Sequence, residues 1–167
     1  MMTQVKRKVA AGSPNTEDDR SISGDREASW TPLRRHADDA AHSDYRVEAQ
    51  VLRTSPRNIL IAHRVHGRVD SLKIAAPGAP SRADDLWRTT CFEAFIRIPH
   101  SVSSGGAAYW EVNASPSRQW ATYAFSDYRA GRERAEEIVV SKVEIDRAAD
   151  RFQIVAYVSL SESLEKA

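Results

Sequence analysis

The fold is decided by residues 108–125, AYWEVNASPSRQWATYAF. Two strand-like segments, Ala108–Ala114 and Gln119–Phe125, flank the turn-forming residues Ser115–Arg118. Side chains that alternate in character along a segment are typical of a strand with two different faces. Because the connection is short, we expect the two segments to pair as an antiparallel hairpin.

Further strands are predicted on both sides of this hairpin. They cover Tyr45–Val51, Asn58–Val65, Thr89–Ile98, Ile138–Ile145 and Phe152–Val158. The total is about seven strands with turn signals every 8–12 residues or so, and no convincing long amphipathic helix is present. The pattern predicts an all-β antiparallel β-sandwich rather than a parallel α/β sheet.

The 167 residues suffice for one globular domain. Residues 1–43 are rich in Asp, Arg, Ser, Ala and Pro and contain few aliphatic residues, so they cannot offset the entropy lost on ordering. We therefore predict a disordered or loosely ordered tail over 1–43 and the sandwich domain over 44–167.

Charge and composition argue against several classes of protein. Lys plus Arg number 24 against 23 Asp plus Glu, and this balance predicts no nucleic-acid partner. The single cysteine, Cys91, excludes an intramolecular disulfide and a multi-cysteine zinc site. No secretory signal and no run of about 18 apolar residues is visible, so we expect a cytoplasmic protein that does not contact the membrane.

Alternation also assigns faces to the predicted strands. In Thr89–Ile98, Phe92, Ala94 and Ile96 share one apolar face, whereas Glu93 lies on the other. A half-buried strand rarely keeps a glutamate unless its carboxylate meets a donor. Glu93 therefore needs a partner from the protein or from a ligand.

A hairpin centred on Pro116 and Ser117 would place Trp120 beside Asn113 and Thr122 beside Glu111. Carboxylates and amides bind vicinal hydroxyls with paired hydrogen bonds, and an indole covers the apolar face of a pyranose ring. The grouping suits a sugar ligand. It suits a solvated outer sheet face equally well, and both interpretations stay open.

Three motifs resemble those of bacterial DOMON-like proteins: DLWRTTCFEAF at 85–95, YWEVNASPSRQWATY at 109–123 and DYRAG at 127–131. Those proteins are similar to family-9 carbohydrate-binding modules and to the wider DOMON superfamily of β-sandwiches that bind sugars or haem. The resemblance covers roughly Tyr45 to Leu160. In the carbohydrate-binding modules a tryptophan before this strand and a glutamate within it contribute to the sugar site, which implies that role for Trp87 and Glu93.

The chain departs from this resemblance at its end. The resembling proteins continue with a further strand or two and an aromatic, histidine-containing tail, whereas this chain stops at Ser161–Ala167. We expect a sandwich without its last strands. Open sheet edges would expose unpaired backbone and favour self-association.

The predicted function is non-catalytic binding of a sugar through Trp87, Glu93, Glu111, Asn113 and Trp120. The alternative is a haem-binding DOMON-type domain, whose axial ligand would come from the histidines His63, His66 and His100. A third hypothesis is a glycoside-active enzyme with Glu93 and Glu111 as acid and base, or a protein-interaction scaffold. We predict no metal site, because His63 and His66 point to opposite faces of their strand.

Overall fold

A computed structural model of the chain describes residues 29–34, 44–97 and 109–165. Most of the predicted tail, 1–28 and 35–43, lies outside the described residues. Within them are ten strands, two single-turn 3₁₀-helices at Val69–Ser71 and Leu86–Arg88, and one short α-helix, α1 (Glu162–Glu165). The strands are β1 (Thr31–Pro32), β2 (Arg46–Ser55), β3 (Asn58–His66), β4 (Ser81–Arg82), β5 (Phe92–Ile96), β6 (Tyr109–Ala114), β7 (Gln119–Phe125), β8 (Glu133–Arg134), β9 (Ile138–Arg147) and β10 (Arg151–Leu160).

The strands form two sheets. Sheet A has the order β1-β2-β3-β10-β9, and every neighbouring pair is antiparallel. Sheet B has the order β4-β7-β6-β5; β8 also pairs with β7, and β4 and β7 are the parallel pair. The prediction of an all-β sandwich is confirmed.

The core lies between the sheets and is built by alternation. In β10 every second side chain is buried, which places Phe152, Ile154, Ala156 and Val158 on the inner face of sheet A. From sheet B, Phe92 stacks on Phe152 with 5.8 Å between ring centroids. The two sheets are therefore joined by apolar side chains of their inner faces.

The β2–β3 hairpin has the predicted turn at Ser55–Asn58. The Ser55 hydroxyl oxygen accepts hydrogen bonds from the backbone N–H groups of Arg57 at 3.3 Å and Asn58 at 3.1 Å. This use of a serine side chain to satisfy turn amides is a common local device.

The predicted register of the β6–β7 hairpin is wrong by one residue. Ala114, not Asn113, lies opposite Trp120, and the Ser115 N–H donates to the Gln119 carbonyl at 2.9 Å. Arg118 has φ 67° and adds a third residue to the turn, as in a three-residue hairpin loop. Because a one-residue shift reverses the face of every side chain in a strand, Trp120 lies on the inner face and packs against the core.

Candidate functional site

The outer face of sheet B holds three of the five predicted site residues. Glu93 of β5 lies opposite Asn113 of β6, and Glu111 is the next residue of β6 on the same face. Trp120 is not on this face, because the corrected register turns it inward. The structure therefore groups Glu93, Glu111 and Asn113 and separates them from Trp120.

The fifth predicted residue, Trp87, lies on a loop that folds back over this face. A left-handed residue, Asp85 with φ 59°, leads into the 3₁₀-helix Leu86–Arg88. Leu86 is buried in a small apolar cluster with Tyr123 and other outer-face residues of sheet B. Trp87 keeps 42% of its surface exposed, and the Arg88 guanidinium lies 5.3 Å from the centre of its indole ring.

Asp84 fastens this loop to the sheet. Its carboxylate accepts hydrogen bonds from the Tyr123 hydroxyl at 2.8 Å, from Arg82 at 2.8 Å and from Arg134 at 2.6 Å. These three donors, led by Tyr123, hold the pKa of Asp84 well below its usual range. Asp84 therefore positions the loop that carries Trp87, and sequence reasoning missed this role because two of its partners, Tyr123 and Arg134, lie far along the chain.

Glu93 is a buried carboxyl, with 4% of its surface exposed. Burial raises its pKa from 4.5 to about 7, and the negative charge of Glu111 adds to the increase. Among the described residues its side chain has no hydrogen-bond or ion-pair partner. At neutral pH a carboxyl with this pKa is close to half protonated, so it can either donate or accept a hydrogen bond.

Asn113 links Glu111 to Cys91. The Asn113 amide nitrogen donates to Glu111 Oε1 at 2.7 Å, and the Cys91 thiol donates to Asn113 Oδ1 at 3.6 Å. Asn113 is almost fully buried, so it orients Glu111 from within the protein. Burial and the neighbouring charges of Glu93 and Glu111 raise the pKa of the Cys91 thiol to about 12, which keeps it protonated.

An aromatic cluster closes one end of the same face. The rings of Tyr109 and Phe125 stack with centroids 4.7 Å apart, and Phe95 meets Tyr109 edge-on at 6.0 Å. The Tyr109 hydroxyl accepts a hydrogen bond from the backbone N–H of Arg129 at 3.1 Å. This contact fixes the 127–131 loop, where Tyr128 is exposed. The sequence could have indicated that Tyr109 belongs to this face, because Tyr109 and Glu111 are alternate residues of β6 and therefore point to the same side of the sheet.

The histidines proposed as haem ligands are dispersed. His63 faces the core with 5% exposure, and burial lowers its pKa to about 4. The interior cavity beside it has about 10 Å³, room for about one water rather than a porphyrin. His66 lies on the opposite face, as predicted, with its Nε2 3.0 Å from Glu48, and His100 lies outside the described residues.

No protein-family model matches the chain, and no curated protein and no solved structure matches it either. The resemblance to DOMON-like proteins therefore stays a prediction from the motifs. In the ranges 29–34, 44–97 and 109–165, no three His, Cys, Asp or Glu side chains are grouped so that they could hold a metal ion. In the same ranges, no helix has the length and apolar character needed to cross a membrane.

Proposed function

We propose that the chain is a non-catalytic carbohydrate-binding domain whose site is the outer face of sheet B. The observation that carries the proposal is the pairing of two features on this face. Glu93 is a buried carboxyl without a partner among the described residues, and the adjoining loop presents Trp87 with 42% of its surface exposed. A carboxyl that has no partner from the protein can form hydrogen bonds with the hydroxyls of a ligand.

Each group has a distinct part in binding. The Trp87 indole stacks on the apolar face of a pyranose ring. Glu111 is half-buried and is the carboxylate that a sugar hydroxyl meets first, while Asn113 holds it in place through the 2.7 Å hydrogen bond. Glu93 lies deeper and, with a pKa of about 7, both donates and accepts. Trp120 has no role in this site because it packs against the core.

The test is a titration of the protein with a panel of mono- and disaccharides, followed by indole fluorescence and calorimetry. Trp87→Ala should weaken binding by about five- to tenfold, which corresponds to the 1 kcal/mol or so of stacking energy. Trp87→Phe should retain part of the affinity. The matched control is Trp30→Ala, because Trp30 stacks on Arg64 of sheet A, 3.8 Å from ring centre to guanidinium carbon. The proposal is abandoned if no sugar changes the fluorescence or the thermal melt.

One observation favours a second candidate, a glycoside hydrolase. Glu93 has a raised pKa and lies diagonally across the strand pair from Glu111, which resembles the acid and base pair of such enzymes. We rank it below binding because both carboxyls belong to one sheet face and Glu93 is buried, whereas hydrolysis needs two carboxyls that flank the scissile bond. Turnover of a chromogenic glycoside that disappears in Glu93→Gln would reverse this ranking.

A further inference from the structure

Three arginines gather beside the proposed sugar site. Arg82 and Arg132 place their guanidinium carbons 5.5 and 4.9 Å from the centre of the Tyr123 ring. Arg134 lies 2.6 Å from the carboxylate of Asp84, the same carboxylate that binds Arg82 and the Tyr123 hydroxyl. We call Arg82, Arg132 and Arg134 the arginine cluster.

The arginine cluster carries more positive charge than the protein around it neutralises. Asp84 forms ion pairs with Arg82 and Arg134, which leaves three guanidinium groups against one carboxylate. Arg132 is exposed, and among the described residues it has no ion-pair partner. Glu133 does not neutralise this charge. It is the neighbour of Arg134 in β8, and consecutive side chains of a strand point to opposite sides of the sheet.

The arginine cluster adjoins the carboxyl groups of the site. Tyr123 lies directly opposite Glu111 in the β6–β7 pair, and the arginines surround the Tyr123 ring. A ligand on this face would meet carboxyl groups on the β5 side and guanidinium groups on the β7–β8 side. Such polarity suits a ligand whose hydroxyls and negative charge lie at different ends.

We infer that the saccharide bound by this face carries an anionic group, which binds Arg132 and Arg134 while the sugar ring stacks on Trp87. This inference rests on the proposed function. The planar guanidinium fork matches the paired oxygens of a carboxylate or a phosphate, so the ligand is a hexuronic acid or a sugar phosphate. The net charge of the whole chain is only +1, so general attraction of anions does not explain such binding.

The experiment compares neutral and anionic sugars by calorimetry at low salt. Glucose and galactose are the neutral ligands, glucuronate and galacturonate carry a carboxylate, and glucose 6-phosphate carries a phosphate. We expect one anionic class to bind about tenfold more tightly than the neutral sugars, which is the strength of one charge-assisted contact. The advantage should shrink as salt rises, because the arginines are exposed.

Variants assign the preference to residues. Arg132→Gln should remove most of the anionic preference, since only Arg134 remains to bind the anionic group, and should leave the thermal melt unchanged, because Arg132 is exposed. Arg132→Lys keeps the charge without the planar fork and should retain only part of the preference. The control, Arg147→Gln, removes the same charge from β9 of sheet A, where Arg147 faces Asp70 at 3.5 Å, and should change nothing.

The outcomes separate this inference from the proposed function. If neutral and anionic sugars bind equally, the inference fails and the sugar site stands. A preference that persists undiminished in Arg132→Gln also overturns the assignment to the arginine cluster. If no sugar of either kind binds, both the inference and the proposed function fail.

Discussion

Burial controls the protonation of two neighbouring side chains on the outer face of sheet B, Glu93 and Cys91. Their pKa values rise to about 7 and about 12, respectively. In both cases the first cause is the cost of removing a charged group from water, and the second is repulsion from a neighbouring carboxylate. At neutral pH this face therefore carries less negative charge than its sequence suggests.

The Cys91 thiol should be unreactive in the folded protein. With a pKa of about 12, its thiolate fraction at pH 8 is about a thousandfold smaller than that of an unperturbed cysteine. We expect alkylation by iodoacetamide at pH 8 to be slower by about this factor in the native protein than in urea. Glu93→Gln combined with Glu111→Gln should raise the native rate, since both charges contribute to the shift.

An exposed carboxylate provides the control for this measurement. Glu136→Gln also removes a carboxylate but lies at the surface, so the alkylation rate should not change. Equal rates in native and unfolded protein would contradict the burial of Cys91.

At the scale of elements, alternation in the sequence was sufficient to predict the long strands. Seven strands of five or more residues occur in the described ranges, each overlapping a predicted segment. Inward-facing residues were also predicted correctly where the strand could be taken alone, as with Phe92 and Ala94 of β5. Pairing between strands was harder, because register depends on the conformation of turn residues as well as on their number.

The β6–β7 turn illustrates this limit. Arg118 adopts positive φ, a conformation that residues other than Gly, Asn and Asp rarely take. An arginine at this position therefore does not indicate a left-handed turn. The position of the loop that presents Trp87 was equally difficult to predict from the sequence. Asp84 holds it through Tyr123 and Arg134, and a single sequence does not show which distant donors a carboxylate will meet.

Substitutions at Arg118 test the turn. A left-handed conformation costs a residue with a side chain about 1–2 kcal/mol, and β-branched residues tolerate it least. Arg118→Gly should leave the free energy of unfolding within about 1 kcal/mol of the parent, because relief of strain is offset by greater freedom in the unfolded chain. Arg118→Val should lower it by about 1–2 kcal/mol in urea denaturation.

The matched position is Arg57 in the β2–β3 turn, which does not have positive φ. There glycine has no strain to relieve, so Arg57→Gly should be the more destabilising of the Gly and Val substitutions. Equal stability of Arg118→Gly and Arg118→Val would refute the left-handed turn, and with it the inward position of Trp120.

At the scale of the whole molecule, the sandwich places two side chains with shifted pKa values on opposite sides of β5. Glu93 points outward from sheet B, and on the inner side His63 of sheet A packs 5.3 Å from Phe92 between ring centroids. The backbone of Glu93 only partly opposes the effect of burial on the pKa of His63. The pKa of Glu93 is therefore raised and the pKa of His63 is lowered within one region of the fold.

Their effects on stability have opposite signs. The pKa of Glu93 rises from 4.5 to about 7, so the folded state retains a proton that the unfolded state releases, and stability falls as pH rises through this window. The pKa of His63 falls from 6.5 to about 4, so the unfolded state binds the extra proton, and stability falls as pH decreases from 6.5. Between pH 4.5 and 6.5 the two slopes oppose each other.

Single substitutions should therefore reveal a pH dependence that the parent protein conceals. Relative to the parent, Glu93→Gln should become more stable as pH rises from 4.5 to 6.5, by at most about 1.4 kcal/mol per pH unit and by about 2 kcal/mol in all. His63→Gln should show the reverse slope, whatever its absolute stability, and the double variant should again be nearly flat. The measurement is urea denaturation at half-unit steps of pH, with Glu136→Gln as a surface control that follows the parent. Parallel curves for all five proteins would mean that neither group changes its proton affinity on folding, and Glu93 would then lack the burial on which its role in ligand binding depends.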